Sequence, residues 1–317
     1  MTSATEDELM GSTLLQDTFT LRIHMLSDWH VGTGMGRPGS VDRLVARDED
    51  ECPFIPAKTI RGVWRDACEC VARGLDEGKP GPWSRFVDFL FGSQPGLGSH
   101  DPTGRHADPA AKPLESSVLI RAARLPVKLR KLVCKDPRLL DALTFVKPGV
   151  SLDPRTGRAK DQCLRFEEMA RASTVLESKC RLRPIADEQL RKTAVALLAA
   201  GAAMVERLGG KRRRGAGRCR FELVNIDRGE AIQWLREHQT PPAWDERSAL
   251  ETVCFETTSA EPEGWIVVPL TLRLRSPLAV TGRTLGNVVE TLDFLPGTYL
   301  LPHISKILRS LKVDPYP

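Results

Sequence analysis

The chain has 317 residues, 41% of them hydrophobic and 27% charged, with a net charge of +5. That length fits about two domains, and the composition excludes wholesale disorder, collagen and coiled-coil rods. No stretch reaches the ~18–20 apolar residues of a membrane span. The opening MTSATEDELM lacks the pattern of an export signal, so a cytoplasmic protein without membrane contact is expected.

Residues 1–17 read as a tail. In TFTLRIHML (18–26), Phe19, Leu21, Ile23 and Met25 alternate with polar neighbours, which predicts a half-buried strand. A Gly- and Asp-rich loop follows over 27–55. Pro56 opens a helix predicted to run to about Asp76, with the apolar stripe Ile60, Trp64, Cys68, Val71 and Leu75. Lys58, Arg61 and Arg65 fall on a neighbouring face of it. WSRFVDFLF (83–91) reads as a second helix closed by Gly92, and 93–114 as a loop.

SSVLIRAARLPV (116–127) reads as a strand. The next stretch has no clear period, until a further strand around 173–183. Asp187 caps a long helix expected to end at Gly209, and GRCRFELVNI (217–226) is the next strand. Strand, helix, strand, strand, helix, strand is an α+β, ferredoxin-like (RRM-like) order, a fold shared by many unrelated functions. A domain over 18–239 is therefore predicted, with an insertion around 128–172.

Residues 240–264 are Pro-, Thr- and Glu-rich and read as a linker. From Trp265 the chain echoes its own start: a strand WIVVPLTLRLRSPLAV, a Gly-rich turn, then FLPGTYLLP opening a helix, as FIPAKTIRG does earlier. The segment 265–317 is too short to finish a second four-stranded sheet. An incomplete second ferredoxin-like module is expected, either a fragment of a longer fusion or in need of a partner.

Positive charge is segregated. Residues 121–138 and 209–220 together hold thirteen Lys and Arg against the single acid Asp136. Arg without interleaved Glu is the electrostatic footprint of a polyanion site. In GGKRRRGAGRCR, Gly209, Gly210, Gly215 and Gly217 permit positive φ and close backbone approach, while Lys211, Arg212, Arg213 and Arg214 supply charge. Lys58, Arg61 and Arg65 are expected to line the same groove, or else to form the polar face of an amphipathic helix. Aromatic residues are only 6%, which argues against base stacking on strand aromatics. Trp29 and Trp83 are the remaining candidates for stacking, with core packing expected for Trp83.

Four segments together resemble the RAMP superfamily of CRISPR-associated proteins, specifically the guide-RNA-binding backbone subunits of type III effector complexes. SDWHVGTGMGRPGSVDRLVARD (27–48) resembles the family's histidine-glycine loop and aspartate-bearing segment, and PFIPAKTIRGVWRDACE (53–69) its Pro-led first helix. GVSLDPRTGRAKDQCLRFEEMARAST (149–174) is similar to the thumb-like insertion, and LGGKRRRGAGRCRF (208–221) to the glycine-rich loop. The partial copy from 265 resembles the start of another RAMP module, closest to a type III-D fusion.

The resemblance implies crRNA and complementary target RNA as ligands, other effector subunits as partners, and a role in antiviral defence. It also implies a guide-dependent endoribonuclease in which Asp42 assists attack of a ribose 2′-hydroxyl on the adjacent phosphate. A solvated carboxylate is a weak base at neutral pH, so Asp42 is expected to hold Mg²⁺ or Mn²⁺, the thumb-like insertion bending the target towards in-line geometry. Two alternatives stay open: a subunit that only binds the guide, and a metal-independent pre-crRNA processing RNase using His30. His30 itself is expected to contact the guide or pack the loop, and His24 to be structural. Asp48 and Asp50 are candidates to share a metal with Asp42, or to form a hairpin turn. His100 and His106 have unconvincing zinc spacing, and with no CxxC among eight cysteines no structural zinc is predicted.

Overall fold

In the computed structural model, the alternation at the start of the chain becomes β1 (Thr18–Met25), with Phe19, Leu21, Ile23 and Met25 buried. The described residues are 12–34, 36–37, 39–92, 114, 116–244, 272–274, 278–285, 288–292 and 294–310. They fall in two units, Met1–Glu251 and Thr252–Pro317.

In the first unit β1 is followed by α1 (Ala57–Leu75), α2 (Pro82–Phe91), β2 (Val118–Ile120), α3 (Val127–Val133), α4 (Pro137–Asp141), β3 (Thr144–Gly149) and β4 (Arg165–Ala170). Then come β5 (Val175–Leu182), α5 (Glu188–Met204), β6 (Cys219–Val224) and α6 (Arg228–Glu237). The sheet order is β2-β5-β1-β6, and every pairing is antiparallel. With α1 and α5 as the crossover helices, this is the expected ferredoxin-like fold.

The sheet buries one face. Trp64 on α1 is completely buried and meets Phe19, Phe91 and Phe221 edge-on at 6.4, 6.3 and 6.5 Å between ring centroids, a favoured aromatic geometry. Its indole N–H donates to the Leu198 carbonyl of α5 at 2.9 Å, so the buried polar atom is satisfied. Asp187 caps α5 as expected, accepting from the amides of Gln189 and Leu190 at 2.8 and 3.1 Å.

Two boundaries needed correction, and two segments hold elements that the sequence reading left unassigned. The strand expected over 116–127 is only three residues long: beyond it Ala123 pairs with Ile55, and Pro126 caps α3. The helix expected to reach Gly209 stops at Met204. Residues 206–208 instead pair with 217–219: Cys219 donates to the Glu206 carbonyl and Leu208 to that of Gly217, at 2.8 and 2.9 Å. The periodless insertion holds α3, α4 and the antiparallel β3–β4 hairpin. A further helix, α6, follows β6; Asp227 caps it, accepting from the Glu230 amide at 2.6 Å.

The second unit contains β7 (Thr281–Leu285) paired with β8 (Val288–Thr291), and α7 (Gly297–Ser310), where FLPGTYLLP was read as opening a helix. The strand expected from Trp265 lies largely outside the described residues, and described residues 272–274 and 278–280 carry no strand. Most of the 240–264 segment is also outside them. Among the described residues, no helix is long and apolar enough to cross a membrane.

Candidate nucleic-acid interface

The chain leaving α5 turns back along the segment that leaves β1. Gly209 has φ +79°, and a Cβ there would collide with the His30 carbonyl oxygen. Gly217, at φ +71°, is packed as tightly against the Leu208 carbonyl. The Gly210 and Gly217 amides donate to the carbonyls of His30 and Asp28, both at 2.8 Å. Glycine is required at 209 and 217 because both the left-handed backbone and the close approach exclude a side chain.

Between these anchors, Lys211 at φ 57° opens a 3-10 turn of Arg212, Arg213 and Arg214, and Gly215 at φ 83° closes it. All three arginines are exposed, and no ion pair among the described residues engages them. The turn is steadied from below, Arg207 donating to the Arg212 carbonyl at 2.5 Å. It also lies close enough to α1 to act on Asp66, whose carboxyl is pushed up by burial and by Glu69, with Arg212 and Arg65 pulling the other way.

Lys211 does not share this freedom. It pairs with Glu167 of β4, which is 5% exposed and also faces Arg43 at 4.0 Å. Burial pushes the Glu167 carboxyl up, yet Lys211, Arg43 and His30 outweigh it and hold the group below the usual range. The neighbouring Glu168 accepts from the Val45 amide at 2.9 Å, Arg47 at 2.6 Å and Thr144 at 3.2 Å. It too is held low against the opposing effect of burial. The Glu168 carbonyl receives the Nδ1–H of His30 at 2.7 Å, and His30 is 9% exposed.

Asp42 is exposed and reaches the same strand. Its Oδ2 accepts from the Phe166 amide at 2.7 Å, and its own amide donates to the Phe166 carbonyl at 2.8 Å. Asp42 and Lys211 therefore hold consecutive residues of β4, and the aspartate segment and the glycine-rich loop meet there.

Residues 22–220 match the RAMP superfamily, from inside β1 to inside β6. This chain belongs to the RAMP superfamily. The match reaches all four strands of the sheet. No curated protein matches the sequence. Among solved structures, the chain is similar to one titled as type III-B Cmr-beta in the apo state, at 13% identity and TM-score 0.43, covering 65% of this chain and 97% of that one. A second, titled as type III-B Cmr-beta bound to cognate target RNA, matches at 11% identity and TM-score 0.45, covering 67% and 98%.

Other residues singled out from the sequence are not gathered here. Arg65, 6% exposed, donates to Glu69 at 2.9 Å, to the Gly92 carbonyl at 2.5 Å and to Asp88. Arg61 donates to the Phe91 carbonyl. Both fasten the C-terminus of α2 instead of lining an open groove, because helix-end carbonyls lack partners of their own. Lys58 alone of the three is exposed. Trp29 and Trp83 are completely buried, their indole N–H groups donating to Thr174 and to the Gln239 carbonyl, so neither presents a ring to a base. His24 pairs with Glu222 at 2.7 Å on the sheet surface.

Asp48 and Asp50 lie in a turn. Asp48 accepts from the amides of Asp50 and Cys52 at 3.1 and 3.0 Å, and Arg130 bonds Asp50 at 2.7 Å. Arg124 pairs with Glu49, and both arginines face Asp48. Part of the positive charge of 121–138 is thereby neutralised by an acidic triplet remote in sequence. Among the described residues no group of three or more His, Cys, Asp or Glu side chains could hold a metal; His100 and His106 lie outside them.

Two acids of the site, Glu167 and Glu168, escaped the sequence reading. Their signal was available in RFEEMA, an acidic pair between Phe166 and Met169 inside a short strand pattern. Buried acids in a strand need cationic partners, and those partners come from the loop and from the aspartate segment.

Proposed function

We propose that this chain is a crRNA-binding backbone module of a type III CRISPR effector complex, and that Asp42 serves cleavage of complementary target RNA in antiviral defence. The observation that carries the reading is the exposed Arg212–Arg214 turn, anchored on His30 and joined through β4 to exposed Asp42. Membership of the RAMP superfamily supports it. So does the outward face of the sheet, which carries no Phe, Tyr or Trp on β1, β5, β6 or β2. Contacts of this kind grip sugar and phosphate and leave the base sequence to pairing between guide and target.

In this reading the glycine-rich turn fixes the guide backbone and Asp42 faces the opposing strand. Alignment of the ribose 2′-hydroxyl with the scissile phosphate comes from holding both strands against β4 and the β3–β4 hairpin. Asp42 has one carboxylate oxygen engaged by Phe166, which leaves Oδ1 to ligate. A single carboxylate fits Mg²⁺ or Mn²⁺ because such ions take one or two carboxylates and complete their shell with phosphates and water. When bound, the ion supplies charge neutralisation at the phosphate.

A guide-binding module without cleavage is the second reading, favoured by the Asp42–Phe166 hydrogen bond, which suffices to explain an aspartate there. Metal-independent processing through His30 is disfavoured, because that ring is buried and anchored to Glu168. Cleavage of a guide-matched RNA by the assembled complex in Mg²⁺, compared with Asp42→Asn, separates these readings. Loss of cutting with guide binding retained supports the first. Unchanged cutting removes Asp42 from the chemistry.

A further inference from the structure

We propose a second site for single-stranded RNA on this unit, a cationic groove at the end of the sheet opposite the glycine-rich loop. It rests on the RNA-binding reading above and extends it to another surface. The groove encloses about 590 Å³, and its lining includes Thr18, Thr20, Arg121, Lys179, Arg181 and Asn225.

The register explains how these side chains converge. Thr18 stands opposite Arg181 and Thr20 opposite Lys179 across β1 and β5, while Leu119 of β2 stands opposite Arg181. All alternate with the buried Phe19, Cys180 and Leu182, so they lie on the outward face. Arg121 continues the edge strand, donating its amide to the Lys179 carbonyl.

Charge on this face is uneven. Towards the glycine-rich end, two of the cationic groups have acids beside them: Arg22 pairs with Glu177 at 3.2 Å and His24 with Glu222. At the groove the matching stops. Its lining contains two arginines and a lysine and no acid, and no ion pair among the described residues engages Arg121, Lys179 or Arg181. The Lys179 ammonium donates to the Thr20 hydroxyl at 2.9 Å. Three exposed cations beside hydroxyl and amide donors suit a phosphodiester backbone.

The groove begins at Thr18 and the glycine-rich loop meets the chain just beyond Met25, where β1 pairs with Cys219. Seven strand steps separate them, about 23 Å at ~3.3 Å per residue. That separation makes the two sites independently mutable.

The test is the salt dependence of binding of a fluorescent oligouridylate to the full chain. Neutralising three phosphate contacts with a single strand contributes about 2 to the log–log slope of affinity against salt. The triple variant Arg121→Gln, Lys179→Gln, Arg181→Gln is expected to lose that much slope, so that its affinity falls about 18-fold less between 50 and 200 mM salt. Arg181→Gln alone should lose about 0.7, and it serves if the triple variant melts early. An unchanged slope in these variants, with a reduced slope in Arg212→Gln, Arg213→Gln, Arg214→Gln, overturns the groove and leaves the loop reading intact. The reverse pattern supports the groove and removes the loop. Tighter binding of polyglutamate than of RNA, lost in the groove variants, overturns RNA as the occupant.

Discussion

Glu167 and Lys211 pair across the junction of β4 and the glycine-rich loop, and the carboxylate lies almost wholly out of solvent. The pair fastens a loop of high positive charge to the core, which leaves Arg212–Arg214 as the cations facing outward. Removing the acid strands Lys211 and Arg43 beside each other. Breaking a buried pair costs ~3–5 kcal/mol; with Lys211 31% exposed, Glu167→Ala is expected to lose roughly 2–3 kcal/mol. Urea denaturation reads this directly, and an unmoved midpoint would show that the pair contributes nothing.

Acid sensitivity follows from the same acids. Glu167 and Glu168 titrate below the usual glutamate range in the folded protein. Their stabilisation is therefore complete above that range and is lost as pH falls through the depressed values. Asp48, pushed up by burial, has the opposite sign and costs stability as it ionises. Thermal melts taken down the acid limb should show a shallower loss in Glu167→Gln than in the wild type.

The glycines of the loop are not equivalent. Gly215→Ala meets open space and should cost only the left-handed backbone penalty, about 1–2 kcal/mol. Gly209→Ala and Gly217→Ala also collide with main-chain carbonyls, adding about 1–3 kcal/mol. Equal losses at the three positions in chemical denaturation would contradict this packing.

Arg65 and the loop arginines separate stability from binding. Arg65→Ala leaves Asp88, Glu69 and the Gly92 carbonyl without their shared donor and should destabilise by about 3–5 kcal/mol. Its RNA affinity, measured where the variant is folded, should be unchanged. Arg213→Ala should change the unfolding free energy by no more than about 0.5 kcal/mol while weakening RNA binding.

Local pattern carried most of the fold. Strand alternation placed β1, the apolar stripe placed α1, and Asp187 placed the start of α5. The misplaced boundaries lie where tertiary pairing overrides propensity: residues 206–208 leave the helix to pair with 217–219, and Ala123 leaves the line of β2 to pair with Ile55. The site was legible in its glycines and arginines, because few other structures require that composition. Helical spacing put Arg61 and Arg65 on one face with Lys58, but nothing in the spacing says that α2 ends beneath them. Glu167, remote from both partners in sequence, is identified only by β4 lying between the aspartate segment and the loop.

Ultraviolet cross-linking of RNA bound to the full chain, followed by mass spectrometry of the peptides, addresses the guide-binding reading most directly. Adducts are expected within residues 207–215 and 42–47. Adducts confined to other segments, with the peptides spanning Arg212–Arg214 and Asp42 recovered unmodified, would contradict it.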